Sequence, residues 1–216
     1  MSLCDDNGNV YYNYFSPFNG YDYVDLGLPS GTLWATMNVG ASKASDAGLY
    51  FQWGDTSGYT ADQVGKDKYF DWSDYKWSID ESNSNFSKYN KTDNKTVLEL
   101  EDDAAHTNMG GNWHMPTPTQ INELLNNTTN TWTTQNGVNG RLFTSKTDTS
   151  KSIFFPAAGG AWLGSFDGSG FYGGVWSSML SVDDVYDGQY LLFDSDHVYL
   201  NDGSRGFGFS VRGVLG

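Results

Sequence analysis

Four aromatic side chains stand in one glycine-rich stretch, GGAWLGSFDGSGFYGG, residues 159–174: Trp162, Phe166, Phe171 and Tyr172. Flat apolar rings on a loop held by a rigid scaffold form a platform for sugar rings or for a protein partner. A second stretch, DSDHVYLNDGSRG at 194–206, is rich in oxygen donors. If it runs as a strand, Asp194 and Asp196 point to one face, and Asn201 and Asp202 follow in a turn. Hard oxygen ligands of this kind suit Ca²⁺, which in sugar-binding proteins bridges to hydroxyl groups, so these four are the candidate calcium ligands. The stretch is not a helix–loop–helix calcium loop, because Tyr199 occupies the position that demands glycine. Arg205 and Phe207 are expected at the rim of the same face.

Other chemistry is harder to build. His106, His114 and His197 are the only histidines, and their spacing matches no zinc pattern. GSGFYG (168–173) fits G-x-G-x-x-G, but it leads into a strand-like segment, and Phe171 and Tyr172 would crowd a pyrophosphate. Asp102–Asp103 reads as a helix-start pair that caps backbone N–H groups. Ser177–Ser178 lacks a nucleophile elbow. No catalytic set stands out.

The chain's 26 acidic against 12 basic residues give a net charge of −14, a field that repels nucleic acid. At 216 residues, with one cysteine, it must fold as a single domain without an internal disulfide. Its longest apolar stretch, SIFFPAAGGAWLG, is broken by Pro and Gly and is too short to span a bilayer. The opening MSL reads as an appended start ahead of which a leader was removed. Cys4, followed by two aspartates, is a candidate lipid-acceptor cysteine, with a free thiol on a frayed tail as the alternative. Sequons at Asn85, Asn90, Asn94, Asn126 and Asn127 would be glycan sites in a secreted eukaryotic protein, an origin that the missing disulfides disfavour.

The elements that must position these residues are short. Residues 1–20 are expected to be a partly ordered lead-in and 21–216 one domain, with a polar, aperiodic insertion at about 56–95. YDYVDLGLPSGTLWATMNVG reads as two strands about a turn, and SDAGLYFQWGD as a helical turn followed by a strand. LEDDAAHTNMGG should be a helix stopped at Gly110. In GGNWHMPTPTQINELL, Thr117 can cap a helix with Pro118 at its first position and Gln120 closing a capping box. Ile121, Leu124 and Leu125 would then share one face. After Asn130 the sequence reads as strands: NGRLFTS, SIFFPAAG, GGVWSSML, YLLFDSDHVYL and GFGFSVRGV. This is an α+β domain with two short helices and an antiparallel sheet carrying long loops.

Taken in order, YVDLGLPSGTLWATMNVGA, YFQWGDT, LEDDAAHTNMGGNWHMPT, NGVNGRLFTSK, SIFFPAAG, GGVWSSML and GFSVRGV resemble the Fibrobacter succinogenes major paralogous domain over about residues 23–214. The resemblance implies a C-type lectin-like fold in which the first and last strands pair, so GTLWATMNV would lie beside GFSVRGV. It places the ligand face on loops of the second half. It also implies a surface lipoprotein of the outer membrane of a Gram-negative gut bacterium. Trp34, Trp53, Trp113 and Trp176 sit in its motifs and are expected in the core. The chain departs from the pattern at His114 for Arg, Gln120 for Glu, Met37 for Cys and Gly213 for Pro. His114 is therefore expected to brace a turn. The oxidation performed by the distantly similar formylglycine-generating enzymes needs two cysteines, which this chain lacks. The function expected is recognition of a glycan or a surface protein without catalysis, with calcium the one candidate cofactor. A structural subunit of a surface appendage or lipoprotein complex is the alternative, and a polysaccharide hydrolase the third.

Overall fold

A computed structural model describes residues 18–80 and 85–216, together with the backbone of two short strands before them, β1 (Leu3–Cys4) and β2 (Val10–Tyr11). The strands that follow are β3 (Tyr23–Asp25), β4 (Leu33–Ala35), β5 (Tyr50–Phe51), β6 (Thr128–Gln135), β7 (Val138–Ser145), β8 (Ser152–Pro156), β9 (Gly160–Trp162) and β10 (Ser165–Asp167). Beyond them come β11 (Gly173–Leu180), β12 (Asp187–Phe193), β13 (Val198–Ser204), β14 (Phe209–Ser210) and β15 (Val214–Leu215). Two α-helices, α1 (Ala104–Met109) and α2 (Pro118–Asn127), separate the early strands from the late ones. The architecture is mostly β with two helices. Among the described residues, no helix is long and apolar enough to cross a membrane.

Three sheets carry the domain. The largest has the order β13-β12-β11-β14-β5, and the others are β15-β4-β3 and β6-β7-β8. GTLWATMNV lies beside GFSVRGV as expected: Val214 pairs with Trp34 and Leu215 with Leu33, while Val39 N–H donates to Val211 O at 2.8 Å. Trp34, Trp53, Trp113 and Trp176 are all fully buried.

The helix at α2 forms for the reasons its sequence gives. Gln120 N–H donates to Thr117 Oγ1 at 3.2 Å, and Thr117 N–H donates to Gln120 Oε1 at 2.9 Å. Pro118 fills the first position, where no N–H is needed. Such a cap contributes about 1 kcal/mol. Ile121 and Leu124 are buried while Leu125 is only partly so. His114 braces the preceding turn: its ring nitrogens lie 3.0 Å from Met115 O and 3.3 Å from Gly216 O, and its backbone pairs with Val214.

Helix α1 ends at Gly110 in a positive-φ conformation, and Asp103 is its cap, accepting from His106 N–H at 2.9 Å and from Met115 N–H at 2.8 Å. Burial pushes the Asp103 carboxyl above its usual range. Asp102 plays a different part. Its buried carboxylate accepts from Lys76 at 2.8 Å, Lys88 at 2.5 Å and the Tyr89 hydroxyl at 2.7 Å. Burial opposes that charge, yet the two lysines and the hydroxyl hold Asp102 below the usual carboxylate range.

Several expectations are corrected. No helical turn forms before β5; residues 43–46 make a hydrogen-bonded turn instead. The insertion expected at about 56–95 holds, among its described residues, one 3₁₀ turn (Ala61–Gln63) and otherwise irregular backbone, from which Phe70, Tyr89, Tyr75 and Phe86 reach the interior. YLLFDSDHVYL is two strands rather than one, folded back on itself at Asp194–His197, where Asp194 N–H donates to His197 O at 3.0 Å. Residues 128–135, which carried no strand expectation before NGRLFTS, form the full-length strand β6.

Candidate functional site

The period-two alternation of a short hairpin sorts the aromatic residues of the glycine-rich stretch. Strands β9 and β10 pair Trp162 with Ser165, Ala161 with Phe166 and Gly160 with Asp167. Leu163 and Gly164, both at positive φ, make the two-residue turn between them. Directly opposed residues share a face. Trp162, Ser165, Gly160 and Asp167 therefore look one way, and Ala161 and Phe166 the other. Phe166 turns inward and meets Tyr50 at a ring distance of 5.1 Å in a satellite core. It does not line the cleft formed on the other face.

The outward face is extended by the segment that leads into β14. Ala161 and Gly208 exchange backbone hydrogen bonds at 2.9 Å each way, which sets Phe207 across from Trp162 and Phe209 across from Gly160. Trp162 and Phe207 stand perpendicular with centroids 4.7 Å apart, and Trp72 braces Trp162 from behind at 6.1 Å. Tyr172 closes the far side. Together these residues line a cleft of about 330 Å³ formed by Gly160, Ala161, Trp162, Ser165, Asp167, Tyr172, Phe207 and Phe209.

Two glycines are required here. A Cβ on Gly160 would meet the Phe209 ring at 2.6 Å and the Tyr172 hydroxyl at 3.1 Å, so the floor is open only because this residue has no side chain. Gly168, at φ +74°, lies under the Tyr172 ring and leaves no room for a methyl group. The turn it starts is tight: Phe171 and Tyr172 N–H both donate to Gly168 O, at 2.9 and 3.1 Å. Burial raises the Tyr172 phenol above its ordinary pKa, and the nearby Asp167 carboxylate adds to the shift. The phenol is a neutral donor at physiological pH. Its donor, the Ser165 hydroxyl and a single carboxylate, Asp167, are the polar groups on an otherwise aromatic wall.

Of the six residues expected to contact a ligand, Trp162, Tyr172 and Phe207 converge. Phe171 is 78% exposed and stands outside the lining. Arg205 is a correction: it is fully buried, not at the rim. Its guanidinium donates to the Tyr75 hydroxyl at 2.8 Å and to the carbonyls of Tyr89, Val185 and Lys88 at 2.7, 2.9 and 3.2 Å. The Phe86 ring lies 3.9 Å from it. This side chain ties residues 75–89 to the end of β13. Phe209, Gly160, Ala161, Ser165 and Asp167 were missed as lining residues; Gly164 between two short apolar stretches was the one sign of a turn near Gly160, Ser165 and Asp167, and no local signal pointed to Phe209.

The four candidate calcium ligands fall in the reverse of the expected places, the first pair in a turn and the second in a strand. Asp194 and Asp196 lie in the β12–β13 turn, and the Asp194 carboxylate is occupied by the N–H groups of Asp196 and His197, each at 2.7 Å. Asn201 and Asp202 lie within β13, opposite Tyr190 and Gln189. Three strand residues beyond Val198 is about 10 Å. Being consecutive, Asn201 and Asp202 also point to opposite faces. Asn201 donates to the Tyr190 hydroxyl at 2.9 Å, and Asp202 accepts from Ser181 at 3.0 Å.

Among the described residues, one group of three carboxylates has ligand atoms within 4.8 Å of one another: Glu99, Glu101 and Asp102. Lys88 ion-pairs with all three, so an ammonium already sits where a cation would go. The lipid-acceptor expectation falls on Cys4, whose side chain lies outside the described residues. Gly168 and Gly170 lie in the turn before β11 and Gly173 begins that strand, which is not the geometry of a dinucleotide loop. Ser177 and Ser178 are buried in β11. No family model, curated protein or solved structure matches the chain.

Proposed function

We propose that the chain is a non-catalytic binding module of C-type lectin-like type whose aromatic cleft receives a sugar ring of a glycan. One observation carries this reading: Trp162, Phe207 and Tyr172, from three separate segments, converge on a preformed cleft that also presents Tyr172 Oη, Ser165 Oγ and Asp167. The size matches a single pyranose ring better than a large cofactor. Its apolar wall suits the C–H face of a sugar, and its few polar groups suit hydroxyls.

Electrostatics narrow the ligand. Among the described residues no cation lines the cleft, and the chain carries −14 overall. The recognised ring is therefore neutral or bears an amine, and uronic or sialic acids are rejected. The lining holds one carboxylate rather than the facing pair that glycoside hydrolysis uses, which favours binding over cleavage. Surface display and membership of the paralogous-domain family fit this reading, through the ordered motifs and the pairing of the first and last strands.

The test is an array of neutral, amino and acidic glycans probed with the labelled protein, with calcium and again with a chelator. The reading expects hits confined to neutral or amino sugars and indifferent to the chelator, because Asp167 is the one carboxylate in the lining and none of Asp194, Asp196, Asn201 and Asp202 belongs to it. A blank array with folded protein would put the assembly-subunit reading first.

A further inference from the structure

Strand β6 runs for eight residues, TTNTWTTQ, along the open side of the β6-β7-β8 sheet. It joins β7 through Asn136 and Gly137, both at positive φ, so Gln135 and Val138 close a two-residue hairpin. In an antiparallel pair, residues alternate between bonding the partner strand and facing away from it. Counting from Gln135, the residues whose backbone groups face away are Thr134, Trp132, Asn130 and Thr128. The Thr128 N–H is taken by Leu124 O. Among the described residues nothing takes the outward N–H and C=O of Asn130, Trp132 and Thr134.

Edges of this kind are normally blocked by lysine, proline, a bulge or a cover. The other long edges of this molecule follow that rule. On β8, Arg212 donates to Phe154 O and the strand ends at Pro156. Strand β13 carries Asp202 and is entered past Asp194 and Asp196. By contrast, β6 has no charge, no proline and no register shift, and no charged residue occurs between Glu123 and Arg141. Thr129, Thr131 and Thr134 are exposed.

We propose that β6 is the docking edge for a second copy of this chain, joined antiparallel so that two three-stranded sheets become one of six strands. A two-fold axis through Thr131 satisfies the outward groups of Asn130 and Trp132 and the N–H of Thr134, leaving the Thr134 C=O to water because the Thr128 N–H is already bonded to Leu124 O. Asn130 then faces Trp132 of the partner subunit in a hydrogen-bonded pair, and Trp132 faces the partner's Asn130, with Thr134 opposite the partner's Thr128 on each side. The remaining threonines match as well, with Thr131 against its own copy and Thr129 against the partner's Thr133, β-branched pairs that stabilise a sheet. Charge selects the occupant. Two bodies of −14 repel over most of their surfaces, and this neutral strip is where identical chains can approach without opposing like charges. No residue of β6 lines the aromatic cleft, so the dimer presents two clefts to a multivalent glycan.

Sedimentation velocity on the full chain, from about 2 to about 200 µM at physiological salt, tests the edge, since micromolar association falls in this window. The wild type is expected to shift from one copy of 23.9 kDa to two as concentration rises. Thr131→Lys and Thr131→Glu, at an exposed position that leaves β7 pairing intact, should each stay at one copy, their dissociation constants raised at least about tenfold by like charges directly opposed. Mixing the two variants should restore the dimer. A wild type that remains single at the highest concentration, variants that dimerise like the wild type, or a mixture that stays monomeric would each overturn the proposal.

Discussion

Replacing Arg205 with methionine separates a structural role from a ligand-binding one. The side chain sits fully buried and donates to three backbone carbonyls and one phenol. Methionine keeps most of the volume over Phe86 but strands the carbonyls of Tyr89, Val185 and Lys88. Each unpaired buried acceptor costs about 1–3 kcal/mol. Relief of the guanidinium's own desolvation and entry of water at the less buried Lys88 carbonyl offset part of this. The net loss is about 3–5 kcal/mol, which for a chain of this length lowers the melting temperature by about 6–20 °C. Arg205→Lys should lose nearly as much, because an ammonium cannot reproduce the planar fork. Calorimetry or a circular-dichroism melt reads the effect, with glycan binding measured below the melt. A variant with an unchanged melting temperature and abolished binding would refute the buried-tie assignment and return Arg205 to the rim.

Two further perturbations follow from the same contacts. Asp102 is held below the usual carboxylate range in the folded chain, so its contribution is present above the unfolded value of about 4 and is lost as pH falls below it. Urea midpoints between pH 2 and 7 should therefore fall more steeply for the wild type than for Asp102→Asn, which itself should cost about 3 kcal/mol at pH 7 by leaving Lys76 and part of Lys88 unpaired; parallel profiles would contradict the network. Gly168→Ala meets both a φ of +74° and the Tyr172 ring, and should cost about 1–2 kcal/mol while weakening glycan binding. Equal melting temperature and equal affinity would show that the turn is not what sets the cleft.

What the sequence revealed depends on where the stabilising contacts lie. Helix α2 was legible to the residue because its cap is local: Thr117 and Gln120 bond each other within four positions, with Pro118 filling the first helical position between them. Pairing of residues 33–39 with 211–215 and burial of the four tryptophans were expected from the family resemblance. Residues 56–95 hid their role because Phe70, Tyr75, Phe86 and Tyr89 reach the interior from irregular backbone, which leaves no period to read. Arg205 was misplaced because a charged side chain is expected at the surface, and its partners are carbonyls remote in sequence. The Asp-Ser-Asp-His turn was swallowed by the apolar run around it, so Asp194 and Asp196 were placed on a strand face instead of in a turn. Three of the cleft's eight lining residues were visible, as Trp162, Tyr172 and Phe207. The remainder depends on which residues face each other across β9, β10 and the Phe207–Phe209 segment, and that is a property of register.

The central claim is that the Trp162–Phe207–Tyr172 cleft binds the glycan. Titrating an array-selected neutral glycan into the wild type, Trp162→Ala and Phe171→Ala by calorimetry tests it most directly. Loss of a stacking anchor costs about 2 kcal/mol, so Trp162→Ala should weaken binding roughly 30-fold while Phe171→Ala, outside the lining, changes it less than about twofold. Undiminished affinity in a folded Trp162→Ala variant, or a loss confined to Phe171→Ala, would contradict the account.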